Sequence, residues 1–150
     1  MTGGANTKFA GSMGLLDWQI THDEERNILW LQTHGPLDIT PLEAFFDEVF
    51  AAANQYRCRR FFADHRSSQL RLDPVQIFDL PKTLRRHGIV EHKAAVLFAK
   101  LGEDEQFVET ICKNFGIMAR VFCDQDMALA WLMTEPGPAA SIPPLPFQAL

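Results

Sequence analysis

The sequence predicts an α/β domain with a mainly parallel sheet. Three observations carry that expectation. From Thr40 onward, short runs rich in strand formers alternate with runs of helical periodicity. Such alternation builds right-handed βαβ units on a parallel sheet. Before Thr40, two strand-like runs flank a polar stretch, the pattern of a hairpin. Finally, 47% of the 150 residues are apolar, enough for a core without disulfides or a metal.

Met1 to Gly14 is rich in Gly, Ala, Ser and Thr and lacks a charged segment followed by an apolar one, so residues 1–14 read as a flexible leader rather than a signal peptide. Leu16–Thr21 and Asn27–Thr33 are the hairpin strands, with His22–Arg26 between them and Gly35-Pro36 closing the second. Thr40-Pro41-Leu42-Glu43 reads as a capping box with Thr40 at the N-cap. Leu42, Phe45, Phe46, Val49, Phe50 and Ala53 then form one apolar stripe of a first helix. Arg59–Asp64 reads as the third strand, and His65–Leu72 as a polar loop. Asp73-Pro74-Val75-Gln76 repeats the capping pattern and opens a second helix that runs towards Gly88. Pro81 predicts a kink in it or two short segments.

Lys93–Ala99 is an apolar run suited to a strand buried on both faces. Gly102–Glu105 opens a third helix with acids in its first turn, its inner face formed by Phe107, Val108, Ile111, Cys112 and Phe115, and Gly116 follows as the left-handed residue. Ile117–Cys123 is the last strand, and Asp124 caps a helix over Gln125–Met133. The expected order is β-β-α-β-α-β-α-β-α, about five strands with an antiparallel first edge strand, in one domain spanning 15–134. Residues 135–150 hold five prolines and read as a Pro-rich tail.

The net charge of −5 argues against a nucleic-acid partner, and no apolar run approaches a membrane span. Three scattered cysteines, Cys58, Cys112 and Cys123, read as free thiols in a reducing, cytoplasmic setting. The five histidines show no metal-ligand spacing, and no Gly-rich phosphate loop occurs, so no metal and no cofactor is expected. The charge is uneven: residues 57–93 hold nine Lys and Arg against four acids. Ligands of open α/β sheets bind beyond the carboxyl ends of the strands. That edge is expected to collect Asp64, His65, Arg66, Ser67, Ser68, Arg71 and Asp73, which are the candidate ligand- or partner-binding residues. Arg66 and Arg71 flank the entry to the second helix, where a small anion could settle. A hydrolase built on His65 with Ser67 or Ser68 is a weaker alternative, because no nucleophile elbow is present. Phe45, Phe46, Phe50, Phe61, Phe62 and Phe98 either pack densely or line a cavity.

Three stretches carry a family resemblance. They are Thr33-His34-Gly35-Pro36-Leu37 with the helix from Thr40, then Phe61-Phe62-Ala63-Asp64, and finally Ala119–Asp124 through Ala128–Leu132. With them, the region from about Leu15 to Met133 resembles the SpoIIAA-like family of small bacterial proteins. These share the fold of STAS domains and anti-sigma-factor antagonists, and are often grouped with Sec14-type lipid-binding domains. The resemblance implies a non-enzymatic regulatory module that binds a protein partner or a small apolar or anionic ligand. It also implies an alternative, a phospho-regulated antagonist in a partner-switching pathway. In that class the acceptor serine follows an Asp at the start of the helix after the third strand. Asp73 fits the Asp, but Pro74 stands where the serine would be. Ser67 or Ser68 could take the phosphate only with a shifted register, and would then meet Arg66. An edge strand or an uncovered sheet face would offer a surface for a homodimer.

Overall fold

The structure, a computed structural model, describes residues 6–134. Six strands and four helices follow in the order β1 (Asn6–Met13), β2 (Leu16–Asp23), β3 (Ile28–Leu37), α1 (Ile39–Tyr56), β4 (Arg60–Leu70), α2 (Pro74–His87), β5 (Lys93–Leu97), α3 (Glu103–Asn114), β6 (Met118–Phe122) and α4 (Gln125–Leu132). The sheet order equals the chain order, β1-β2-β3-β4-β5-β6. β1, β2 and β3 pair antiparallel, and β3 to β6 pair parallel. The α/β class, the parallel majority and the antiparallel edge agree with expectation. The expected tail at 135–150 lies outside the described residues.

The strand count corrects the sequence reading. Asn6–Met13, expected within a flexible leader, is the sheet's edge strand, so the opening is a three-stranded meander and the edge is β1 rather than Leu16–Thr21. Gly14 and Leu15 make the two-residue turn to β2, with Gly14 at φ +61°. Gly11 gives Trp18 room, since a Cβ there would come within 2.5 Å of the indole nitrogen. Phe9 packs against Tyr56 of α1, the rings 6.1 Å apart.

Strands β3 and β4 are both longer than expected. β3 runs through Gly35-Pro36 to Leu37, and β4 runs through the predicted polar loop to Leu70. Their parallel register jumps from Gln32↔Asp64 to His34↔Ser67, so β4 carries one extra residue at a bulge. Gly35 sits at φ +104°, and a Cβ there would lie 2.2 Å from the Leu15 carbonyl oxygen. Only glycine permits that approach.

Two helix starts behave differently. Asp73 accepts from the Gln76 N–H at 2.8 Å, and the Gln76 side chain accepts from the Asp73 N–H at 2.9 Å, the expected capping box. At α1 the N-cap is Asp38, not Thr40, and its side chain makes no capping bond. Helical dihedrals begin one residue before Thr40, and Pro41 still falls among the first-turn positions whose N–H has no helical acceptor. Glu43 is thereby released to meet α2. Pro81 lies buried inside α2, which continues as one helix past it. Phe115 is the C-cap of α3 and partly exposed rather than part of its inner face, and Gly116 follows at φ +78° as expected. Asp124 accepts from the Met127 N–H at 2.8 Å and starts α4 as expected.

The helices divide between the sheet faces. Core residues of α1, α2 and α3, among them Phe45, Phe50, Ile77, Leu80, Val108 and Cys112, cover one face. Ala128 and Leu132 of α4 cover part of the other, against Ile28, Phe62, Ala95, Leu97 and Phe122. Lys93 fastens α4: its buried Nζ donates to the Thr134 carbonyl at 2.8 Å and lies 4.6 Å from the Trp131 ring centroid. No helix among the described residues is long and apolar enough to cross a membrane.

Candidate functional site

Alternation along β4 sends its side chains to opposite faces. Phe61, Ala63 and His65 face α1–α3, whereas Phe62 and Asp64 face the α4 side. The seven candidate residues are therefore not one cluster. Asp64 lies beside a groove of about 150 Å³ bounded by Gln19, Trp30, Gln32 and Gln125. Arg66 Nε and Nη2 donate to the two Asp64 carboxylate oxygens at 3.0 and 2.9 Å, and Nη2 also donates to Gln125 Oε1 at 3.1 Å. Burial tends to raise the Asp64 carboxyl, but the Arg66 hydrogen bonds outweigh it and hold the group below the ordinary carboxylate range. Arg66 thus spends its fork on an acid of its own strand. Arg71 and Asp73 are exposed at the start of α2, where Asp73 is engaged in the cap. Ser67 is exposed on β4.

His65 and Ser68 belong together on the helix side. Thr33 of β3 joins them: its Oγ1 is 2.7 Å from His65 Nδ1 and 2.7 Å from Ser68 Oγ. The bulge in β4 makes this possible, because the extra residue brings Ser68 back towards Thr33 after His65 has turned inward. Thr33 and His65 are both buried, at 0% and 7% exposure. Burial pushes the His65 imidazole down to about 4, against a smaller opposing pull from Asp64, so the ring is neutral at pH 7. Phe45 and Phe98 flank it, with centroids 6.2 and 5.6 Å away.

The ring lines a cavity of about 110 Å³ between the sheet and α1, α2 and α3. Phe45, Phe46, Phe50, Phe61 and Phe98 line it, joined by aliphatic side chains from every one of these elements. Five of the six phenylalanines singled out in the sequence are therefore cavity residues, and Phe62 is on the opposite face. His65 is the one lining side chain that carries a nitrogen or oxygen, and the Cys112 thiol is the other heteroatom. Burial pushes that thiol up to about 12, so it stays protonated.

A polar latch holds α2 over α1 beside the cavity. His87 Nδ1 is 2.6 Å from Asp47 Oδ1, its Nε2 is 2.9 Å from Glu43 Oε1, and Arg86 donates to the same Glu43 oxygen. The His87 ring meets Phe46 edge-on at 5.9 Å. Most of the cations of residues 57–93 are engaged similarly. Arg59 pairs with Glu91 at 3.0 Å, Arg60 donates to the Leu132 carbonyl at 3.2 Å, and Arg85 donates to the Phe115 carbonyl. These cations sit at separate helix and strand junctions and do not converge on one anion pocket.

The sequence reading missed Thr33, the residue that organises His65 and Ser68. Its signal was only the burial parity of β3, shared with Leu29 and Leu31. No protein-family model matches the chain, and no curated protein matches it.

Proposed function

We propose that the chain is a non-enzymatic, SpoIIAA-like binding module whose ligand is a small apolar molecule held between the sheet and α1–α3. One observation carries the reading: a cavity of about 110 Å³ lined by aromatic and aliphatic side chains. Apolar cavities of this order stay dry and take up molecules the size of benzene. An anionic ligand is the poorer reading, because the cavity presents no cation and Arg66 is already paired with Asp64. The non-enzymatic part is supported by the surroundings of His65. Behind its Nδ1 stands the Thr33 hydroxyl rather than a carboxylate, and Ser68 is reached only through that hydroxyl.

Native mass spectrometry and a thermal-shift screen of small apolar compounds test the reading together. A co-purifying small molecule, or a rise in Tm with such compounds, is expected. A protein that purifies empty and gains nothing from any compound overturns it.

A further inference from the structure

His65 is bound on one side only. Nδ1 is held by Thr33, and no described residue partners Nε2. Yet every side-chain nitrogen or oxygen sealed from water among the described residues has a partner. Nε2 therefore adjoins space that a small molecule can reach, although the residue is 7% exposed overall, and the space that His65 lines is the cavity. Burial keeps this imidazole uncharged at pH 7, so it offers an anion no counter-charge. It also offers more than one kind of hydrogen bond. Thr33 and Ser68 are both hydroxyls, each able to donate or accept. When the Ser68–Thr33 chain donates into Nδ1, Nε2 carries the proton and donates. When Nδ1 donates outward into the chain, Nε2 accepts. The two states differ in the direction of two hydroxyl hydrogen bonds and in which ring nitrogen carries the proton, so their exchange is a tautomerisation of the ring together with reorientation of the hydroxyls.

The geometry points to a ligand class: an apolar body of about one six-membered ring bearing a single uncharged hydroxyl or carbonyl group, which sits on His65 Nε2. This inference rests on the cavity being a binding site and names what binds there. The remaining wall is hydrocarbon and one thiol, a weak hydrogen-bonding group, so a second polar group on the ligand would be poorly paired, at a cost that disfavours it.

Phenol, toluene and benzoate test it, because they share a ring and differ in one substituent. Binding is read at pH 7 by calorimetry on the full chain, with the imidazole nitrogens followed by NMR. Phenol is expected to bind at least tenfold more tightly than toluene, and benzoate more weakly than either. The Nε2 resonance should move with phenol and stay with toluene. In His65→Leu the phenol preference should vanish while toluene binding persists; if that variant does not fold, the NMR shift in the unmodified protein decides alone. Equal binding of phenol and toluene overturns the head-group inference and leaves the cavity reading standing. Preference for benzoate overturns the uncharged-group inference. Failure of all three to bind overturns both.

Discussion

At pH 7 the His65 imidazole is uncharged, whereas in the unfolded chain it titrates near 6.5. The folded value near 4 lies below the unfolded one, so the unfolded state binds the extra proton between these values. Stability should therefore be complete above about pH 6.5 and fall as the pH drops towards 4. The full shift corresponds to about 3 kcal/mol for this one residue. His92 acts in the same direction: burial and the neighbouring Arg59 push it down to about 4 as well. The lowered carboxyls of Asp64 and Glu43 add their losses at lower pH, as each is protonated through its folded value. Urea unfolding at stepped pH measures this, and His65→Leu should remove about one proton from the uptake between pH 6.5 and 4. A stability that stays flat from pH 7 to 4.5 would contradict the burial of both rings. Hydroxyl chemistry matters at this scale too. Thr33 is the shared partner of two side chains, so Thr33→Val should cost about 1–3 kcal/mol in the same unfolding assay.

Helix starts show how local chemistry and tertiary contacts divide the control of an element. α2 is fixed by its own residues: Pro74 presets the first turn, and Asp73 and Gln76 satisfy each other's N–H groups. α1 has no side-chain cap at all. Its position comes from the apolar stripe Leu42, Phe45, Val49 and Phe50, and from Glu43 and Asp47 reaching across to His87. The N-cap aspartates of α1 and α2 should therefore differ. Asp73→Ala is expected to cost about 1 kcal/mol, and Asp38→Ala less than about 0.5 kcal/mol. Thermal or denaturant unfolding of the pair compares them directly, and equal losses would deny the capping geometry. The same contrast explains what was legible in the sequence. Capping boxes and apolar periodicity are local signals, so α2, α3 and α4 could be placed from a few neighbouring residues. The start of α1 could not, because Thr40, Pro41 and Glu43 imitate a cap while the chain turns helical one residue earlier.

Across the whole molecule, the sheet was readable where a strand is buried on both faces and obscure where it is not. β5 announces itself as an unbroken apolar run. β1 does not: Asn6–Met13 has few large apolar residues, and Gly11, which looks like a loop residue, is there to seat Trp18 from the next strand. The far half of β4 was hidden in another way. Its bulge breaks the alternation, so His65-Arg66-Ser67-Ser68 looks like a loop although it is paired to β3. The candidate site suffered from the same break. Seven residues from one ten-residue stretch, 64–73, were gathered into one cluster, whereas the pleat sends Asp64 and His65 to opposite faces of the sheet. The three cysteines are distributed over this architecture at different depths: Cys123 is exposed after β6, Cys58 is buried beside the start of β4, and Cys112 is buried in the cavity wall. They amount to three built-in clocks for a thiol reagent. Cys123 should react at once, and Cys58 only when the domain unfolds. Cys112, its proton firmly held, should react at a rate set by how often α2 and α3 part from the sheet. A bound ligand should then slow the Cys112 clock more than the Cys58 clock, which separates the breathing of the cavity from the unfolding of the protein around it.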